Sequence, residues 1–167
     1  IQPGRILYEV MEAYQPAIAG EKLRGGPLQY AALFKVAQRF SARPVKFGSI
    51  SAQTMTKMIA NKHYASDREL TLDAADIINA ELREVAAAGC RVIQVEEPRH
   101  HIAAADGISD SELQFLTDAL NREIKGVETE IWLHTCWGNP SQQPIHWQRP
   151  SYERALPHLL QTAADVI

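Results

Sequence analysis

The strongest constraint on this chain is a rhythm in which helical patterns alternate with short apolar runs of strand type. Pro27 to Phe40 reads as a helix, with Leu28, Ala31, Ala32, Lys35, Val36 and Arg39 dividing into an apolar and a polar face. Gly25-Gly26 supplies the loop before it, and Ser41-Ala42-Arg43-Pro44 ends it. Val45 to Ile50 follows as a strand. Ser66-Asp67-Arg68-Glu69 is a capping box that opens a second helix, with Ile78, Leu82 and Val85 on one face and Gly89 as its stop. Arg91 to Val95 is the next strand, closed by Glu96-Glu97-Pro98. A second capping box, Ser109-Asp110-Ser111-Glu112, opens a helix that carries Leu113, Leu116, Leu120 and Ile124 and stops at Gly126. Glu130 to His134 is a third strand. A fourth helix is expected from about Ser151, with Leu156, Leu159 and Leu160, kinked or started late by Pro157. Asp165-Val166-Ile167 looks like the opening of another strand.

Strands separated by helices pair in parallel through right-handed crossovers. The spacing predicts Val45–Ile50, Arg91–Glu96 and Ile131–Cys136 as parallel neighbours in that order. A doubly wound sheet and a (β/α)8 barrel both fit. A full barrel takes about 250 residues, so a chain of 167 would hold about half of one. The bulk numbers narrow the function. With 17 basic and 20 acidic residues the net charge is −3, which gives neither a nucleic-acid footprint nor a polybasic membrane patch. No apolar run approaches the roughly 20 residues of a membrane span. There is no signal-peptide pattern, and the chain opens on Ile1, so the natural start is expected upstream. Two cysteines, Cys90 and Cys136, make no disulfide framework and point to a reducing, cytoplasmic setting.

Active residues of parallel α/β folds gather at the C-terminal ends of the strands. Here those ends are polar: Ser49, Ser51 and Thr54 at the first, Glu96 and Glu97 at the second, His134, Cys136, Trp137 and Asn139 at the third. In an extended segment His134 and Cys136 point to the same side, and an imidazole with a thiolate suits zinc. The plain alternative is a buried cysteine beside a histidine that caps the strand. Glu96 leaves an apolar strand directly into the mouth of the sheet, where a carboxylate can bind an amine or a cation. Glu97 reads more as a solvated loop residue, and His100 and His101 as members of a surface loop. Ser49, Ser51 and Thr54 either line a pocket or cap the next segment. Cys90 and Trp132 read as packing, and Trp137 as a pocket wall. No residue stands out as a catalytic acid or base.

At these residues the stretch from about Pro44 to Ile167 resembles the catalytic barrel of cobalamin-independent methionine synthases and their short bacterial and archaeal relatives. Arg43-Pro44-Val45-Lys46 is similar to the family's KPVKG strand, and Ala87 through Pro98 to its AAGIRVIQIDEP segment. His134-Thr135-Cys136-Trp137-Gly138-Asn139 is similar to its HVCRGN zinc motif, and Ala163 to Ile167 to the approach to its next strand. The resemblance implies one domain over 1–167 that is part of a (β/α)8 TIM barrel. Residues 27–167 would be its βα units, and 1–26 match only loosely. It implies zinc as cofactor, held by His134 and Cys136. A glutamate just beyond Ile167 and a later cysteine would complete the ligands, and a later histidine would be the acid. It implies transfer of a methyl or alkyl group from a small-molecule donor to a thiol such as homocysteine, with Glu96 against the thiol substrate; Ser51 and Trp137 are expected beside it from their places at the strand ends. Glu96 stands where the family has an aspartate that binds the amino group of homocysteine. Related barrels alkylate other thiols, including coenzyme M with epoxide donors. A barrel like uroporphyrinogen decarboxylase, without a complete metal site, is the rival from another class.

Overall fold

The computed structural model describes residues 2–5, 12–15, 21–25, 28–57, 59–136 and 152–167. Its main body is a three-stranded parallel sheet with helices packed on one face. The strands are β3 (Phe47–Ile50), β4 (Val92–Glu96) and β5 (Glu130–His134), in the order β3-β4-β5. The pairing is parallel throughout, with Phe47 opposite Ile93 and Ile93 opposite Ile131. The predicted neighbours and their order are therefore observed. Val166 bridges Trp132 in parallel, so the expected fourth strand begins beside β5. A separate antiparallel pair, β1 (Gln2–Arg5) with β2 (Glu12–Gln15), lies in the segment for which the sequence pattern predicts no element.

The helices follow from local chemistry. In α3 (Asp67–Ala87) Ser66 accepts a hydrogen bond from the Glu69 N–H at 3.2 Å, and in α5 (Asp110–Ile124) Ser109 does the same for Glu112 at 3.2 Å. Each helix is followed by a glycine in the left-handed region, Gly89 at φ 95° and Gly126 at φ 67°, a conformation that costs other residues more. The first helix, α1 (Tyr30–Arg39), starts three residues later than its apolar pattern predicts. Pro157 falls in the first turn of α6 (Leu156–Leu159), so the late start replaces a long kinked helix. Two helices go beyond the sequence expectation: α2 (Ala52–Thr56) and α4 (Arg99–Ala105). The latter corrects the reading of His100 and His101 as a surface loop. Both are fully buried, because α4 packs against α5.

Period-two alternation divides each strand between two environments. Ile93, Val95, Ile131 and Leu133 face the helices and join Ile78, Leu82, Val85, Leu116 and Leu120 in one core. Cys90 is part of it, its thiol donating to the Val92 carbonyl at 3.1 Å. Trp132 departs from its expected place in the core and faces the other side of the sheet. There it donates to Glu130 and lies under the Lys46 ammonium, 4.6 Å from the ring centre. Among the described residues no helix is long and apolar enough to cross a membrane.

Removing the Ser66 cap by Ser66→Ala should cost about 1 kcal/mol. For a chain of this size that lowers Tm by about 2–4 °C. A thermal melt by circular dichroism checks it, and an unchanged Tm would show that the cap contributes nothing.

Candidate functional site

The face of the sheet opposite the core carries a run of polar side chains that rises toward the strand ends. Pairing places Gln94 beside Trp132, and Glu96 beside His134. Lys46 Nζ donates to Gln94 Oε1 at 2.5 Å, and Gln94 Nε2 donates to Glu96 Oε1 at 2.5 Å. The Glu96 carboxylate lies 2.9 Å from His134 Nδ1. His134 and Glu96 are each 39% exposed along their side chains, so the pair is open to an incoming molecule. Cys136 follows His134 by two residues at the end of β5 and is half-buried. The structure thus brings Glu96, His134 and the backbone of Cys136 to one end of the sheet. Trp137 and Asn139 lie outside the described residues.

The strand ends are locked together behind this face. Ser51 N–H donates to the Glu96 carbonyl, and Glu97 N–H to the His134 carbonyl at 2.8 Å. The chain then turns, so the Glu97 side chain goes to the helix side and is fully buried. This corrects its reading as a solvated loop residue. Its carboxylate accepts from the Ser51 hydroxyl, the Gln53 side chain and the N–H groups of Arg99 and His100. Ser51 is itself fully buried, donating to Glu97 and accepting from Thr54 N–H as the N-cap of α2. Of the two readings of Ser51, the geometry shows the capping one. Glu123 of α5 is 1% exposed and accepts from Ala52 N–H at 2.8 Å.

Burial sets the protonation of this second layer. It pushes Glu97 up to about 7 against the pull of its donors, and pushes Glu123 up to about 8 with help from the Glu97 charge. Burial holds His100 down to about 4 and lowers His101. His100 Nε2 lies 3.0 Å from the Thr117 hydroxyl, and the His101 ring stacks on Tyr152 at 4.2 Å. Glu97 ties α2 and α4 to the end of β4, and the histidines tie α4 to Thr117 of α5 and to Tyr152. Sequence reasoning does not reach Lys46, Gln94 and Glu123 as parts of the site. The signal for Gln94 is present, since alternation puts it on the same face as Glu96.

A metal is a matter of donor chemistry. Imidazole nitrogen and thiolate sulfur are zinc donors, and His134 with Cys136 supplies one of each. Among the described residues no group of three or more histidine, cysteine, aspartate or glutamate side chains could hold a metal ion. The pair fits half of a four-coordinate site.

Comparison with known proteins agrees with the resemblance. A methionine synthase from Sulfurisphaera tokodaii is 32% identical over 88 residues, 53% of this chain and 24% of that protein. One from Sulfolobus acidocaldarius is 32% identical over 93 residues, 56% of this chain and 26% of that protein. The matched stretch is thus about a quarter of the length of these relatives. The structure of a B12-independent methionine synthase from a Shewanella species, in complex with selenomethionine, superposes with a TM-score of 0.76 at 25% identity. The superposition covers 93% of this chain and 46% of that one. The family model for the catalytic domain of cobalamin-independent synthases matches residues 6–166, and the chain therefore belongs to that family.

Proposed function

We propose that the chain is part of a (β/α)8 barrel, with residues 27–167 as its βα units, that transfers a methyl group to the sulfur of homocysteine. The observation that carries this reading is the placement of His134, two residues before Cys136, beside Glu96 at the C-terminal end of a parallel sheet. In the barrel the open polar face becomes the lumen, and those strand ends become its mouth. His134 and Cys136 would hold zinc, which when bound supplies a thiol already deprotonated. The remaining work falls to protein groups. Glu96 presents a carboxylate to a substrate amine. Trp137, by its place in the sequence just after the ligand pair, would form a wall. Ser51 acts from behind, fixing α2 and the end of β3 through Glu97.

A second reading has one specific support. Both oxygens of Glu96 are already engaged, one by Gln94 and one by His134. This favours a thiol without an amino group, such as the coenzyme M type, with an alkyl donor. Two measurements test the readings. Zinc affinity in competition with a chelator should fall at least tenfold in Cys136→Ser, a ligand loss; equal affinities would reject the metal pair. Homocysteine and an amine-free analogue should then be titrated into wild type and Glu96→Gln. Loss of about 1.5–3 kcal/mol for homocysteine alone supports amine recognition. Equal effects on both thiols support the second reading.

A further inference from the structure

The open face carries more than a ligand pair, because its hydrogen bonds have a direction. The Lys46 ammonium has only protons to give, so the Gln94 atom that faces it at 2.5 Å is the amide oxygen. The amide nitrogen of Gln94 is thereby turned to Glu96, at 2.5 Å. The chemistry of the lysine fixes that orientation. His134 Nδ1 then has two neighbours: Glu96 Oε2 at 2.9 Å and Gln94 Nε2 at 3.4 Å. A carboxylate only accepts, and an amide NH2 only donates. If Nδ1 were bare, its lone pair would face the carboxylate at the shorter distance. If Nδ1 carries the proton, the shorter contact is a charge-assisted hydrogen bond and the longer one is a near approach of two donors. The shorter contact decides.

We infer that Lys46 and Gln94 act through Glu96 to hold His134 as the Nδ1–H tautomer, leaving the Nε2 lone pair as the donor to a metal. This rests on the proposal that His134 is a metal ligand, and it adds a role for two residues that otherwise have none. Lys46, Gln94 and Glu96 are positioning residues here. At 39% exposure on each side the Glu96–His134 pair adds little to stability. Its effect is to choose which ring nitrogen is available. A carboxylate that orients a ligating histidine through its other nitrogen is a recurring device in metal sites, and its loss weakens metal binding about 10–100-fold.

The test reads the tautomer directly, without metal. The full chain, with 15N-labelled histidine, is examined by NMR at about pH 8, well above the ordinary histidine value of about 6.5. Wild type should show the His134 proton on Nδ1. Glu96→Leu, which removes the acceptor and keeps bulk, should move it predominantly to Nε2. Gln94→Leu, which removes only the brace, should shift the ratio part of the way. Backbone amide spectra establish that each variant is folded, and if Glu96→Leu is not, Glu96→Ala takes its place. Zinc affinity by chelator competition should fall about 10–100-fold in Glu96→Leu. A wild-type proton on Nε2, or a tautomer indifferent to the loss of Glu96, overturns the inference. A tautomer that follows Glu96 while neither protein binds zinc sustains it, and removes the metal reading instead.

Discussion

Between about pH 6.5 and pH 8 the wild-type chain should lose roughly 2–3 kcal/mol of stability, and Glu123→Gln should lose less than about 1 kcal/mol over the same range. The reason is the buried carboxyl pair behind the strand ends. Glu123 is pushed up to about 8 and Glu97 to about 7 from the ordinary value of 4.5, chiefly by burial. Both are held protonated in the folded chain while they ionise in the unfolded one. Above pH 4.5 the unfolded state therefore binds fewer protons than the folded state, and stability falls as pH rises, until each folded-state value is passed. The buried histidines act in the opposite sense, but in another window. His100 is held down to about 4, so its contribution is present above the ordinary histidine value of about 6.5 and is lost as pH falls below it. Above pH 6.5 the carboxyls dominate, the histidines opposing them by only a few tenths of a kcal/mol each, and each carboxyl still protonated in the folded chain lowers stability by about 1.4 kcal/mol as pH rises by one. Glutamine keeps the acceptor for Ala52 N–H and has no proton to lose. Urea unfolding at the two pH values measures the difference. A wild type with equal stability at both would show that these groups do not titrate in this window.

Ile93→Ala should cost about 2–5 kcal/mol, a large part of the roughly 5–15 kcal/mol that holds a typical domain together. Ile93 sits in the central strand, fully buried, between Phe47 of β3 and Ile131 of β5. Its side chain enters the one continuous core under α3 and α5. Strands on both sides and helices below leave little freedom for collapse around the missing methylenes, so the cavity contribution should be near its upper end. Val92→Ala, the neighbour on the open and half-exposed face, serves as the control and should cost less than half as much. Equal losses from the two positions would place the core on the wrong face of the sheet.

What the amino-acid pattern reveals, and what it hides, divides by length scale. Helices of 15 and 21 residues announce themselves through Ser66 and Ser109 at one end and glycine at the other. The three parallel strands are equally plain, since apolar runs lie between those helices. Helices α2 and α4, of five and seven residues, are too short for periodicity to register. Polar residues then give the wrong cue: His100 and His101 look like loop because burial of a histidine depends on partners distant in sequence, such as Thr117 and Tyr152. Trp132 misleads for the converse reason. It is large and aromatic, but Ile131 and Leu133 on either side take the core-facing positions. At the site, His134, Cys136 and Glu96 are visible as polar ends of apolar strands. The Lys46–Gln94–Glu96 chain is not, because it depends on the register between β3 and β4, which no single strand encodes.

The strand order β3-β4-β5 has a bearing on how the molecule is made. Every strand in this sheet pairs with the one next to it in the chain, so each pairing closes a segment of roughly forty residues, and loop-closure cost rises only slowly with length. During synthesis β3 and β4 can dock as soon as α3 between them has formed, and β5 can add to a finished edge. Among the described strands of this sheet none waits for a distant partner to be translated. The exposed rim of β5, where Val166 already pairs, is then the growing end of an ordered deposition. Assembly from the N-terminal side would build the polar face one strand at a time, with His134 arriving last beside a Glu96 already in place.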